Sequence, residues 1–94
     1  MGRDGKLTPD QAWGMQLAAR EAGVLLVWTV MQGTADFGAS VVCRPHLVTD
    51  GITAPVLRYL IAEDLEGLRE QLPPGLCCFA RSIWDDPVIL ETWM

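Results

Sequence analysis

A run of eight mostly apolar residues, 24–31, constrains the fold of this chain more than any other feature. It directly follows Gly23 and is rich in branched side chains, which favours a β-strand. Alternate residues of a strand point to opposite faces, and here both faces are apolar. One face holds Val24, Leu26, Trp28 and Val30, and the other holds Leu25, Val27 and Met31. A helical layer on one side of a sheet buries only one such face. The strand is therefore either central and covered twice, or its second face meets a partner, which could be a second copy in a homodimer.

The segment before this strand has the signals of a helix. Thr8 is a suitable N-cap, Pro9 fits the first helical position, and Gln11 can complete a capping box. Gly23 can adopt the left-handed conformation that ends a helix. These residues predict a helix at 9–22.

The segment after the strand is harder to assign. Residues 39–48 predict a second strand, in which Pro45 favours an edge position or a bend because proline lacks an N–H donor. Residues 54–62 fit either a strand or a helical stripe. Both alternatives remain open from the sequence.

The rest of the chain completes the fold prediction. A helix at 64–72 is followed by short strands at 76–81 and 88–93. The order α-β-β-α-β-β predicts an α+β domain, with about four antiparallel strands and two helices on one face. We expect a flexible tail at 1–7 and a single domain at 8–94.

The charge of the chain is concentrated at one end. Twelve acidic residues and seven basic ones give a net charge of −5, and residues 1–62 sum to zero. The excess therefore lies in residues 63–94. Such an acidic chain is unsuited to general phosphate-backbone binding. The predicted partner-binding residues are the acidic residues of this last third: Glu63, Asp64, Glu66, Glu70, Asp85, Asp86 and Glu91.

Three cysteines and the single histidine could in principle carry chemistry. Zinc ligands would be Cys43, His46, Cys77 and Cys78, but adjacent strand residues point apart, so the last two do not converge on one ion. Cys43 and His46 would also lie near opposite faces, which is unsuitable for a nucleophile and its base. We predict no metal, no cofactor and no catalytic residue.

Asp85 and Asp86 form the closest carboxylate pair in the sequence. Paired carboxylates can bind a hard cation or share a proton. These two precede Pro87 between two predicted strands, where aspartate is common in turns. We interpret them as turn residues.

The sequence also favours a cytoplasmic protein. The first six residues are polar and do not form a signal peptide. The apolar run at 24–31 is too short for a membrane span, which needs about 20 residues. A disulfide framework has an even number of cysteines, and this chain has three.

The C-terminal third resembles a recurring ending of small proteins of unknown activity from alphaproteobacteria and their prophages. The ending comprises residues 64–69, the Leu-Pro-Pro-Gly-Leu segment at 72–76, Arg81 and the segment 85–93. The middle part, with Trp28, Asp36 and Phe37, is similar to theirs, so the likeness covers about residues 24–94. This resemblance implies a compact bacterial or phage domain and no particular activity.

These observations predict a non-enzymatic, acidic protein-binding module. The favoured function is a phage-encoded inhibitor of a host nucleic-acid defence system, of the anti-CRISPR type. It would dock its acidic residues on a basic protein surface, with no direct contact to nucleic acid. The alternative is a small enzyme or ligand-binding protein that uses His46, Cys43 or the Asp85–Asp86 pair.

Overall fold

The computed structural model of the chain describes residues 5–80 and 87–94, which form an antiparallel sheet and two helices. The described elements, in chain order, are α1 (Pro9–Glu21), β1 (Leu25–Thr34), β2 (Gly38–Thr49), β3 (Ile52–Pro55), β4 (Leu60–Ala62), α2 (Leu65–Gln71), β5 (Cys78–Ala80) and β6 (Ile89–Trp93). The predicted α+β class is confirmed. The predicted four strands and their order are wrong, because residues 49–62 contribute two further strands.

Helix α1 begins at the predicted residue, Pro9, and ends at Glu21, one residue before the predicted end. The Gln11 N–H donates to Thr8 Oγ1 at 3.1 Å, and the Thr8 N–H donates to Gln11 Oε1 at 2.9 Å. This capping box satisfies two N–H groups that a helix leaves without partners. Gly23 follows with a φ of 72°. No helix in the described part of the chain is long and apolar enough to cross a membrane.

Strand β1 lies in the middle of the sheet. The strand order is β3-β2-β1-β6-β5, and β4 pairs with the same edge of β2 as β3 does. The twelve residues of β2 are enough for two short strands to pair with it in succession. Residues 54–62 therefore contain no helix. They include the end of β3 and all of β4, and both strands pair with β2.

Pro45 lies in an interior strand, so of the two alternatives predicted for it, an edge position or a bend, the edge position is wrong. Its carbonyl accepts a hydrogen bond from the Val56 N–H at 3.0 Å. The N–H and C=O groups of one strand residue point to the same side, so the missing N–H also faces this neighbour. The neighbour is interrupted there, because β3 ends at Pro55 and β4 begins at Leu60. The gap between the two short strands accommodates the proline.

Both helices pack on one face of the sheet. Leu26, Trp28 and Val30 of β1 are buried in one cluster with Leu68 of α2 and the alanines of α1. In the described residues, no helix covers the opposite face. We call that surface the open face and define it by residues that alternate along the strands: Val27, Thr29, Met31, Arg44, His46, Val48, Thr53 and Ile89.

The alternation predicted for β1 is therefore confirmed. On its first apolar side Leu26, Trp28 and Val30 are fully buried, whereas Val27 on the other side is half-buried and Leu25 is 46% exposed. The strand is central, but the helices cover only one of its two apolar faces.

The predicted flexible tail is wrong for residues 5–7. Leu7 is buried in the core, and its N–H donates to the Tyr59 carbonyl at 2.7 Å. The Tyr59 N–H donates to the Gly5 carbonyl at 2.8 Å. This short parallel pairing attaches the segment to the main domain, while residues 1–4 lie outside the described part.

A buried hydrogen bond between α1 and β1 provides a test of how α1 is held against the sheet. The Trp28 indole N–H donates to Gln16 Oε1 at 2.8 Å, and both side chains are buried. We expect Gln16→Leu to lower the free energy of unfolding by about 1–3 kcal/mol, because it leaves a buried donor unpaired. Urea unfolding measures this loss. In a Trp28→Phe background the donor is absent, so the same substitution should have a much smaller effect. An equal loss in both backgrounds would contradict the assignment.

Candidate functional site

A cavity of about 430 Å³ lies on the open face. Its volume is within the range typical of small-molecule sites, roughly 300–1,000 Å³. The apolar residues that line it are Val27, Met31, Val48 and Ile89. The polar residues that line it are Thr29, Arg44, His46 and Thr53. An apolar surface with a few grouped polar side chains is typical of binding sites.

Strand pairing brings the polar groups of the cavity together. Thr29 is directly opposite Arg44, and Val27 is directly opposite His46, across the β1–β2 ladder. Arg44 and His46 are two residues apart on one strand, so their side chains point to the same face. The guanidinium and imidazole groups therefore share one wall of the cavity.

The turn between β1 and β2 orients Arg44. Its Nη2 atom is 3.3 Å from Asp36 Oδ2, and the guanidinium carbon is 5.7 Å from the centre of the Phe37 ring. The Phe37 ring in turn contacts the Tyr59 ring, with 4.9 Å between their centres. The arginine side chain is thus held by an ion pair and an aromatic ring.

The described wall of the cavity contains one charged side chain, Arg44, whose guanidinium is paired with Asp36 from outside the wall. None of the described residues that line the cavity is acidic, although the net charge of the chain is −5. Arg44 supplies a permanent positive charge, and His46 supplies an imidazole. Chemically, this arrangement suits an anion that also has an apolar part.

Cys43 and His46 lie on opposite sides of the sheet, as their spacing predicts. Cys43 is fully buried on the helix side, and burial together with the nearby Glu91 carboxylate raises the pKa of its thiol. A neutral, enclosed thiol is a poor nucleophile. In residues 5–80 and 87–94, no three histidine, cysteine or acidic side chains are grouped as metal ligands.

Glu91 is the one predicted partner-binding residue that the structure places in the interior. Its side chain lies on the helix side of β6 and is 5% exposed. Arg69 of α2 donates from Nη2 to Glu91 Oε2 at 2.7 Å and from Nε to Oε1 at 2.9 Å. Trp93 Nε1 donates to Oε1 at 2.9 Å, and the Cys78 thiol lies 3.5 Å from Oε2. We therefore exclude Glu91 from the docking surface.

These contacts change the pKa of the Glu91 carboxyl group. The hydrogen bonds from Arg69 outweigh the effect of burial and lower the pKa of Glu91 from 4.5 to about 2. The same pairing raises the pKa of Arg69. Burial and the nearby Glu91 carboxylate raise the pKa of Cys78. The Glu91 carboxylate is thus charged over the whole physiological range and links β6 to α2.

The other predicted partner-binding residues that the structure describes are exposed. Glu63 and Asp64 precede α2, and Glu66 and Glu70 lie on it. Asp64 also caps the helix, because its Oδ1 accepts from the Gly67 N–H at 2.7 Å. We call these four residues the acidic α2 surface. Asp85 and Asp86, with Arg81 and Trp84, lie outside the described residues.

The open face includes one charged residue that the sequence analysis did not select, Arg44. The available signal was its position two residues before His46 in a predicted strand, next to the second apolar face of β1. No protein-family model, curated protein or solved structure matches this chain. The geometry of these residues is therefore the basis for a functional proposal.

Acid unfolding tests the link between Glu91 and Arg69. Because the folded pKa lies below the unfolded one, the pair stabilises the fold above about pH 4.5, and this contribution is lost as the pH falls toward 2. We expect Glu91→Gln to lower the free energy of unfolding by about 2 kcal/mol at neutral pH, allowing for the half-exposed arginine. The difference between wild type and variant should vanish near pH 2.

Glu70→Gln, at an exposed site, is the matched control and should change stability by less than about 0.5 kcal/mol. A difference that persisted unchanged at acid pH would contradict this account.

Proposed function

We propose that this protein is a non-catalytic protein-binding module that docks its acidic α2 surface on a basic surface of a partner protein. The observation that carries the proposal is the pairing of Arg69 with Glu91. Arg69 is the one basic residue of α2, and its charge is balanced by the Glu91 carboxylate, which belongs to β6 of the sheet. Arg69 also interacts electrostatically with Glu66, so the four exposed carboxylates of the acidic α2 surface are compensated only in small part on their own helix.

The acidic α2 surface is held rigidly on the domain. Leu68 is completely buried and anchors α2 against β2 and β4. The Gln71 side chain donates to the Ile61 carbonyl at 2.9 Å, which fixes the end of the helix to β4. A charged surface that is ordered before binding loses less conformational entropy when it docks.

The partner class that fits this surface is a protein with an exposed basic channel. Channels that bind nucleic acids use lysine and arginine side chains to neutralise phosphates, and ordered carboxylates can occupy the same positions. An inhibitor of a host nucleic-acid defence system, of the anti-CRISPR type, would act in this way. The protein itself would make no direct contact with nucleic acid.

Charge-neutral variants test the docking proposal. The quadruple variant Glu63→Gln, Asp64→Asn, Glu66→Gln and Glu70→Gln removes the charge but keeps the size of each side chain, and asparagine preserves the N-cap. Tagged wild type and variant are used to capture partners from a host lysate at several salt concentrations, and captured proteins are quantified by mass spectrometry. We expect the wild type to capture a basic protein with an affinity that falls steeply with salt, and the variant to lose it.

A second variant controls for a general loss of negative charge. Asp10→Asn, Glu21→Gln and Asp50→Asn remove three exposed carboxylates from other parts of the chain. This control variant should retain the partner. Equal capture by the wild type and the quadruple variant, or capture that is insensitive to salt, would overturn the docking proposal.

A further inference from the structure

We propose that the cavity of the open face binds a small apolar organic anion, such as an alkyl or aryl carboxylate. This inference is separate from the docking proposal, because α2 packs on the opposite side of the sheet. It rests on the composition of the cavity wall, its charge and the way Arg44 is held.

The apolar part of the ligand would contact the strand side chains. Val27 and Met31 come from the centre of the sheet, and Val48 and Ile89 come from the strands on either side of β1. Each is half-buried in the free protein, so a ligand removes further apolar surface from water. The volume of about 430 Å³ suits a molecule with one or two rings or a medium-length chain.

The anionic part would lie beside Arg44 and His46. The present partner of the guanidinium is Asp36, which is 73% exposed and 3.3 Å away. Exposed ion pairs contribute little free energy, so a ligand carboxylate can replace this contact. A ligand carboxylate would make a charge-assisted hydrogen bond to the arginine. The Thr29 and Thr53 hydroxyl groups provide further hydrogen-bonding partners in the wall.

The same charges disfavour a second copy of the chain as the occupant. In a two-fold interface the same surface of each copy meets the other. A two-fold axis through the cavity would bring Arg44 close to its own counterpart, and each guanidinium would have only the exposed Asp36 carboxylate to balance it. The homodimer predicted from the apolar strand is therefore the competing outcome.

Two fluorescent probes with the same ring system test the proposal directly. Anilinonaphthalene sulfonate is an apolar anion, and phenylnaphthylamine is its neutral counterpart. We expect the wild type to bind the anion at least several-fold more tightly than the neutral probe. Arg44→Gln should weaken the anion roughly tenfold and leave the neutral probe unchanged. Arg20→Gln, on the exposed side of α1, is the matched control and should change neither.

A further variant locates the probes. Thr53→Trp fills the cavity from an exposed strand and should weaken both probes, while circular dichroism and thermal unfolding confirm that each variant is folded. Equal affinity for both probes, or an anion affinity unchanged by Arg44→Gln, would overturn the proposal. So would the absence of binding, or a signal that falls as light scattering reports dimer formation.

Discussion

The central strand β1 sets the constraint on which the rest of the structure depends. It is apolar on both faces, yet the described residues form two helices and both lie on the side of Trp28. Burial of that side supplies the core, since Trp28 is completely enclosed and its indole group is bonded to Gln16. The opposite side remains accessible to solvent and carries the cavity. The helical layer therefore buries only one of the two apolar faces of β1.

Local signals made part of this fold predictable. The capping box of Thr8 and Gln11 determines where α1 starts, and alternation over 24–31 separates the two apolar faces of β1 without deciding which one the helices cover. Strands β3 and β4 were not predictable in the same way, because segments of three or four residues carry little intrinsic preference. Their conformation depends on pairing with β2 over a distance in sequence. The edge position suggested for Pro45 was wrong for the same reason. The proline is accommodated in β2 by the gap between β3 and β4, and the sequence around Pro45 does not reveal that gap.

The role of Glu91 shows why the charge pattern of a sequence is not enough to identify the carboxylates that lie on the surface. Its sequence neighbours suggested one more surface carboxylate, but the face it occupies is fixed by pairing between β1 and β6. Val30 is opposite Glu91, whereas Met31 is opposite Ile89, so the register shifts at this point. The irregularity places Glu91 on the helix side and Ile89 on the open face. No periodicity within five residues reveals such a shift, because one extra residue reverses every assignment after it.

The separation of charge across the sheet reconciles an acidic protein with a cationic cavity. The exposed carboxylates of the acidic α2 surface lie on the far side of a helix, whose diameter with side chains is about 10 Å. That distance exceeds the Debye length of about 8 Å at physiological salt. A ligand in the cavity therefore responds mainly to Arg44 and the nearby Asp36 rather than to the net charge of −5. Asp36 tunes the strength of this local field, because its exposed carboxylate lies 3.3 Å from the Arg44 guanidinium.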